Sequence, residues 1–168
     1  METNYCMRCG ARLGIREHPT DGPVPYCAGC GDYRYPVFST AISLVVTDAD
    51  ETHMILIRQY GEAEEVLVAG YVDKGETAEQ AARRELREEL GLDAQTLRYL
   101  GSHYYAPSET LMLNFHTITA QTEPNPNGEV DSWRWCAVEE AGRAVHPGGL
   151  ADTLLRDYFE NAGKQKSK

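Results

Sequence analysis

The sequence predicts a mixed α/β (α+β) domain with a small separate module in front of it. Three observations point there. Apolar segments rich in β-branched residues and two helical patterns follow one another as strands, helix, strands, helix, the order of layered α/β packing. One of the helices carries capping residues at both ends. The first 36 residues hold four of the five cysteines with many Gly, Pro and Tyr and almost no aliphatic run, so hydrophobic burial alone cannot fold them. The composition changes at Val37, which places the boundary near Pro36 and gives modules 1–36 and 37–168.

Residues 37–47 (VFSTAISLVVT) read as a strand, and residues 53–59 as a second after a turn around residues 48–52. A short third strand over residues 66–72 is interrupted by Gly70. Residues 77–90 form the clearest helix: Thr77 is a good N-cap, Gln80 completes a capping box, and Gly91 follows at the usual C-terminal stop. Further strands are expected over residues 97–105, 111–120 and 130–138, with a loop at Pro124–Gly128 (PNPNG). Residues 150–159 read as a short terminal helix, and the final KQKSK as a solvated tail.

The chain has 168 residues, 26 acidic against 16 basic, a formal net charge of −10. Such a balance argues against a general nucleic-acid or membrane-surface binder, although a divalent cation can supply positive charge locally for a phosphate substrate. No stretch reaches the length of a membrane span, and the N-terminus has no apolar signal core, so a cytoplasmic protein with reduced cysteines is expected.

Cys6 and Cys9 form one CxxC and Cys27 and Cys30 another, each followed by a glycine. Two such knuckles present four thiolates in the tetrahedron that zinc accepts, and four cysteines leave no open position for water, so the expected zinc is structural. It can contribute on the order of 10 kcal/mol to a segment that lacks a core. Cys136, among apolar residues, reads as a buried core residue.

Glu85, Glu88 and Glu89 have spacings i, i+3 and i+4 and share one helix face. Like charges so placed repel by a few tenths of a kcal/mol each. A divalent cation would neutralise them, and oxygen ligands suit magnesium or manganese. The alternative is a solvated face braced by ion pairs such as Arg84 with Glu88 and Glu79 with Arg83.

The stretch GYVDKGETAEQAARRELREELGL, residues 70–92, resembles the Nudix box at every defined position. That resemblance implies a mixed β-sheet sandwiched between helices, with the box as loop, helix and loop. It implies magnesium or manganese bound by Glu85, Glu88 and Glu89 and by the carbonyl of Gly70, with Arg84 and Glu76 as a supporting pair. Either Glu88 or Glu89 would take the proton from the attacking water. A four-cysteine ribbon before the box, Tyr35-Pro36 after the last cysteine, and Leu111-Met112 after residues 102–110 are similar to the NADH pyrophosphatase subfamily. This chain reads SHYYAPSET where that subfamily has SQPWPFPxS, so flanks and length match and the centre does not.

From this resemblance Glu129 corresponds to the distant glutamate that completes the metal site, with a plain loop residue as the alternative. Tyr71 corresponds to an aromatic that stacks on the base, and Tyr35 to one that covers it from the partner subunit in a homodimer; ordinary packing is the alternative for both. His103, Tyr104, Tyr105 and Glu109 are candidates for recognising the other half of the substrate, or a half-buried strand. The implied reaction is hydrolysis of NADH or NAD+ to nicotinamide mononucleotide and AMP, with ADP-ribose, FAD or NAD-capped RNA as alternatives. A nucleotide sensor with a nucleic-acid-binding ribbon is the reading from another class. Its marks, a degraded box and a basic recognition element, are missing: Arg8, Arg12, Arg16 and Arg34 stand beside Glu2, Glu17, Asp21 and Asp32.

Overall fold

The computed structural model describes residues 4–165, which fall into two compact units, Met1–Phe38 and Ser39–Lys168. The first unit is a three-stranded antiparallel sheet in the order β1 (Gly14–His18), β2 (Gly22–Cys27), β3 (Asp32–Tyr33). Its strands are not legible as apolar runs because side-chain stacking replaces a core. The Arg16 guanidinium lies 3.5 Å from the Tyr26 ring centroid, and Tyr33 packs edge-on against both Tyr26 and His18.

The second unit is built on a six-stranded mixed sheet. Its strands are β4 (Ser39–Thr47), β5 (His53–Gln59), β6 (Val68–Tyr71), β7 (Arg98–Tyr105), β8 (Thr110–Ile118) and β9 (Val130–Ala137). They run in the order β7-β8-β4-β5-β9, with β6 also paired to β4. β4 and β8 are parallel, and the other pairs are antiparallel. Helix α1 (Ala78–Leu90) covers one face, where Ala81, Ala82, Leu86 and Leu90 meet Ile42, Leu44, Ile55, Ile57 and Phe115. Helices α2 (Val138–Ala144) and α3 (Leu150–Gln165) cover the other, where Ala141, Leu154, Leu155 and Tyr158 meet Val45, Met54, Leu56 and Met112. Cys136 is buried in this second cluster, as its apolar surroundings in the sequence suggest.

The expected fold class is what the structure shows, with differences in detail. The expected strand over residues 130–138 ends at Ala137, and α2, for which the sequence gives no expectation beyond Val138, is seven residues long, contains Gly142 and has no side-chain N-cap, so no local signal marks it. α3 continues six residues past the expected end and takes in Lys164 and Gln165 of the expected tail; residues 166–168 lie outside the described residues. No helix among the described residues is long and apolar enough to cross a membrane.

Candidate active site

Helix α1 starts where its cap dictates. The Thr77 side chain accepts from the Gln80 N–H at 3.2 Å, and the Gln80 side chain accepts from the Thr77 N–H at 2.8 Å. It ends at Gly91, whose φ of 66° is left-handed and whose N–H donates to the Arg87 carbonyl. The PNPNG loop closes on this end: Asn125 and Asn127 donate their N–H groups to the Leu90 and Glu89 carbonyls at 2.8 and 3.1 Å. That contact brings Glu129, distant in sequence, near enough to Glu85 and Glu89 to act on their ionisation.

The three box glutamates differ sharply. Glu88 is exposed and accepts from Arg84 at 3.0 Å. Glu85 is half-buried, accepts from Arg84 at 2.7 Å, and lies flat against the backbone of Gly70 in β6. A Cβ at residue 70 would stand 2.0 Å from the Glu85 carboxylate, so Gly70 is required for space and not for a turn. Glu89 is only 2% exposed, and its Oε2 has no hydrogen-bond partner. Burial, aggravated by Glu85 and Glu129, pushes its carboxyl up to about 8. Burial also raises Glu85, against the pull of Arg84.

Arg84 is the hub. Its Nε and Nη2 donate to both oxygens of Glu76 at 3.0 Å, its Nη1 to Glu85 and Glu88, and its Nη2 also to the Tyr71 carbonyl. The Arg84 hydrogen bond holds Glu76 below its ordinary value. Of the helix pairs read from spacing, Arg84 with Glu88 forms, whereas Arg83 donates to the Ala94 carbonyl. One guanidinium thus serves a site containing Glu76, Glu85, Glu88, Glu89 and Glu129. A desolvated carboxylate oxygen without a donor, beside further carboxylates, suits a divalent cation. The box oxygens do not converge by themselves, since Arg84 holds Glu85 and Glu88.

The convergent set among the described residues is Cys6, Cys9, Cys27 and Cys30, whose sulfurs all lie within 4.8 Å of one another. Sγ of Cys9 is 3.4 Å from that of Cys27, and Cys6 is 3.9 Å from Cys30. A tetrahedron with metal–sulfur bonds of about 2.3 Å has an edge of roughly 3.8 Å. Gly10 and Gly31, both left-handed, close the two knuckles on the carbonyls of Cys6 and Cys27. The Arg34 Nε donates to Cys6 at 3.2 Å and lowers that thiol to about 6, while the neighbouring thiols raise Cys30. These four residues can hold a zinc ion.

Strand register sorts the remaining candidates. His103, Met112, Ala41 and Tyr71 form one row across β7, β8, β4 and β6. Tyr105 lies on the same face, two residues along from His103, opposite the face covered by α1. Tyr104 alternates to the α1 face. Three strand spacings of about 4.8 Å separate His103 from Tyr71, roughly 14 Å. The Tyr71 ring is 59% exposed, and β6 carries it directly beside Gly70. His103 Nε2 meets the Asp157 carboxylate of α3 at 2.8 Å. Glu109 follows a 3₁₀ turn at Ala106–Ser108 with φ 49°, and its carbonyl accepts from the Ser39 N–H. Tyr35 belongs to the first unit, where its hydroxyl donates to Asp21 at 2.7 Å.

Gln59 and Tyr60 carry no signal in the sequence that marks them, yet they border the carboxylates. Burial and then Glu129, Glu89 and Glu85 raise the Tyr60 hydroxyl. Gln59 is the polar neighbour of Glu89 that favours its charged form.

Comparison with known proteins agrees with this architecture. Residues 37–156 match the family described as NUDIX domain. An NAD-capped RNA hydrolase NudC of Pseudomonas aeruginosa (strain LESB58) is 31% identical over 136 residues, 80% of this chain and 48% of that protein. One of Stutzerimonas stutzeri (strain A1501) is 32% identical over 157 residues, 92% of this chain and 55% of that protein. The chain therefore spans about half the length of these relatives. Among solved structures, a NUDIX hydrolase from Nitrosomonas europaea superposes with a TM-score of 0.70 at 18% identity, covering 96% of this chain and 93% of that one. The NUDIX domain of Shewanella oneidensis NrtR, complexed with ADP ribose, superposes with a TM-score of 0.64 at 13% identity, covering 82% and 94%. Both likenesses are of fold.

Proposed function

This chain belongs to the Nudix family, and on that premise we propose that it is a metal-dependent pyrophosphohydrolase that cleaves NADH or NAD+ to nicotinamide mononucleotide and AMP. The observation that carries the hydrolase reading is the buried, unpartnered Glu89 among Glu85, Glu88 and Glu129. Members of the family generally need a divalent metal. Here Glu85, Glu88, Glu89, Glu129 and the Gly70 carbonyl would hold magnesium or manganese. Such a cation supplies charge neutralisation at the diphosphate and acidifies bound water.

The chain's own groups do the rest. Arg84, tied to Glu76, keeps the helix fixed to the Tyr71 carbonyl and restrains Glu85 and Glu88 until a cation competes for them. Glu89 is the proposed general base in preference to Glu88, because Glu88 is exposed and already engaged by Arg84. Tyr71, exposed and next to Gly70, offers a face on which a base can stack. Tyr105 and Glu109 are proposed for the second half of the substrate.

The NAD preference rests on the ribbon-plus-box resemblance and on the names of the relatives, which also make an NAD cap on RNA a candidate substrate. Structural zinc in the four-cysteine cluster, a homodimer and a cytoplasmic location belong to the same proposal. Incubation with NADH, NAD+, ADP-ribose, FAD and NAD-capped RNA, with magnesium or manganese, followed by chromatography, tests it. Fastest release of nicotinamide mononucleotide and AMP from NADH is expected. Faster turnover of another substrate refutes the NAD preference, and no turnover of any refutes the hydrolase reading.

A further inference from the structure

Position 60 holds a tyrosine where neither backbone nor packing favours one. Tyr60 has φ 57° and Gly61 φ 75°, and the Gln59 carbonyl accepts the Glu62 N–H at 3.0 Å, so residues 59–62 form a type I′ turn. Gly, Asn and Asp dominate such positions, and a bulky residue in the left-handed region is an outlier. Burial does not compensate, because Tyr60 is 72% exposed. Strain of this kind persists only where the surroundings fix it. Here they do. Asp131 bulges out of β9 between Ser132, which pairs with Arg58, and Val130, which pairs with Gln59. Its carboxylate accepts the Gly61 N–H at 2.6 Å. Ile57 and Val66 exchange both backbone hydrogen bonds, at 2.8 and 3.0 Å, and close the loop that carries the turn.

The pairing of Gln59 with Val130 decides what this tyrosine faces. One step beyond that antiparallel pair stand Tyr60 on one side and Glu129 on the other. The Tyr60 hydroxyl is within hydrogen-bonding reach of the Glu129 carboxylate. Glu129 is exposed, and its own N–H donates to the Asn127 side chain at 2.9 Å, which anchors its backbone. Backbone anchoring leaves the side chain its rotamers, and ordering an exposed glutamate onto a ligand costs that freedom. A hydroxyl mounted on a rigid turn removes the freedom beforehand. Carboxylates that ligate metals are themselves hydrogen-bonded, and those partners fix which oxygen faces the ion.

We propose that Tyr60 is a positioning residue that acts through Glu129: its hydroxyl holds one oxygen of the Glu129 carboxylate and leaves the other turned to the divalent cation. The strained turn is the mount for that hydroxyl, and the Asp131 bulge is what keeps the mount rigid. Asparagine at position 60 would relax the turn and lose the phenolic donor. Phenylalanine would keep the ring and the strain and lose the donor alone.

This inference rests on Glu129 as a ligand in the metal site proposed above, and the test separates the two. Mn2+ affinity is read by electron paramagnetic resonance, without substrate, for wild type, Tyr60→Phe, Tyr60→Asn, Glu129→Gln and the double variant Tyr60→Phe with Glu129→Gln. Tm is measured without added metal. Tyr60→Phe should bind Mn2+ about tenfold more weakly than wild type, with Tm unchanged because the exposed ring is kept. Tyr60→Asn should lose affinity equally, with Tm unchanged or higher, because asparagine accepts the left-handed conformation. In the Glu129→Gln background, Tyr60→Phe should change affinity by no more than about twofold, because the hydroxyl acts only through that carboxylate. Wild-type Mn2+ affinity in Tyr60→Phe overturns the inference and leaves the metal site standing. So does an equal loss in both backgrounds. If the phenylalanine variant does not fold, Tyr60→Asn decides by the same measure. Wild-type affinity in Glu129→Gln removes Glu129 from the site and the inference with it. A wild type that binds Mn2+ and turns over no substrate refutes the hydrolase reading alone, since the inference is read from metal affinity.

Discussion

Replacing Glu89 by glutamine should stabilise the protein while abolishing its proposed activity, and the stabilisation should depend on pH in a defined way. The Glu89 carboxyl rises from an ordinary 4.5 to about 8 in the folded chain, chiefly through burial. The folded state therefore binds this proton more tightly than the unfolded state. Stability from the group is fully present below about pH 4.5 and is lost as pH rises through about 8. At about 1.4 kcal/mol per unit, the interval from 4.5 to about 8 is worth up to about 5 kcal/mol. That is comparable with the whole stability of many domains, and at a urea dependence of about 2 kcal/mol/M it moves a midpoint by about 2 M. Glu89→Gln removes the titration and keeps the shape. The assay is urea unfolding of wild type and variant from pH 5 to 9 without added divalent metal, taking the difference so that other groups cancel. The variant should gain on wild type steadily up to about pH 8 and then level off. Added Mg2+ should restore wild-type stability at pH 8 and leave the variant unchanged. A difference that stays constant across the pH range would refute the assignment of a buried, unpaired carboxyl to Glu89.

Gly70→Ala places a Cβ 2.0 Å from the Glu85 carboxylate, where ordinary contact begins at 3.4 Å, so that side chain must retreat by more than 1 Å. Because the obstacle is the end of a flexible side chain, a stability loss of only about 1 kcal/mol is expected, with about a hundredfold loss in kcat. Wild-type kcat in this variant would remove Glu85 from the metal site. For the cysteine cluster, one zinc per chain is expected by elemental analysis of protein purified without added metal. Cys27→Ser should lose it, together with protection of residues 1–38 from limited proteolysis. Protein without zinc would refute that site.

The Cys tetrad and the box helix were legible because their information is local. Two CxxC knuckles, a capping box, a stop glycine and a carboxylate face each lie within a few turns of chain, and short-range geometry follows from sequence spacing. Mixed α/β layering was legible from the order of periodic segments. Spacing alone put Glu85, Glu88 and Glu89 on one face and treated them alike. Only tertiary structure made Glu89 buried and unpartnered, laid Glu85 on Gly70, and left Glu88 in solvent with Arg84. Only the closure of the PNPNG loop on the end of α1 brought Glu129 to the box. Strand register, which the sequence specifies weakly because pairing partners are distant, set Tyr71 and His103 in one row and sent Tyr104 to the other face. It also set the bulge at Asp131 opposite the end of β5, where the unremarked Gln59 neighbours Glu89. The sequence by itself determined which residues can carry charge and metal; long-range packing decided which of them lose their water, and desolvation is what separates a reactive carboxylate from a solvated one.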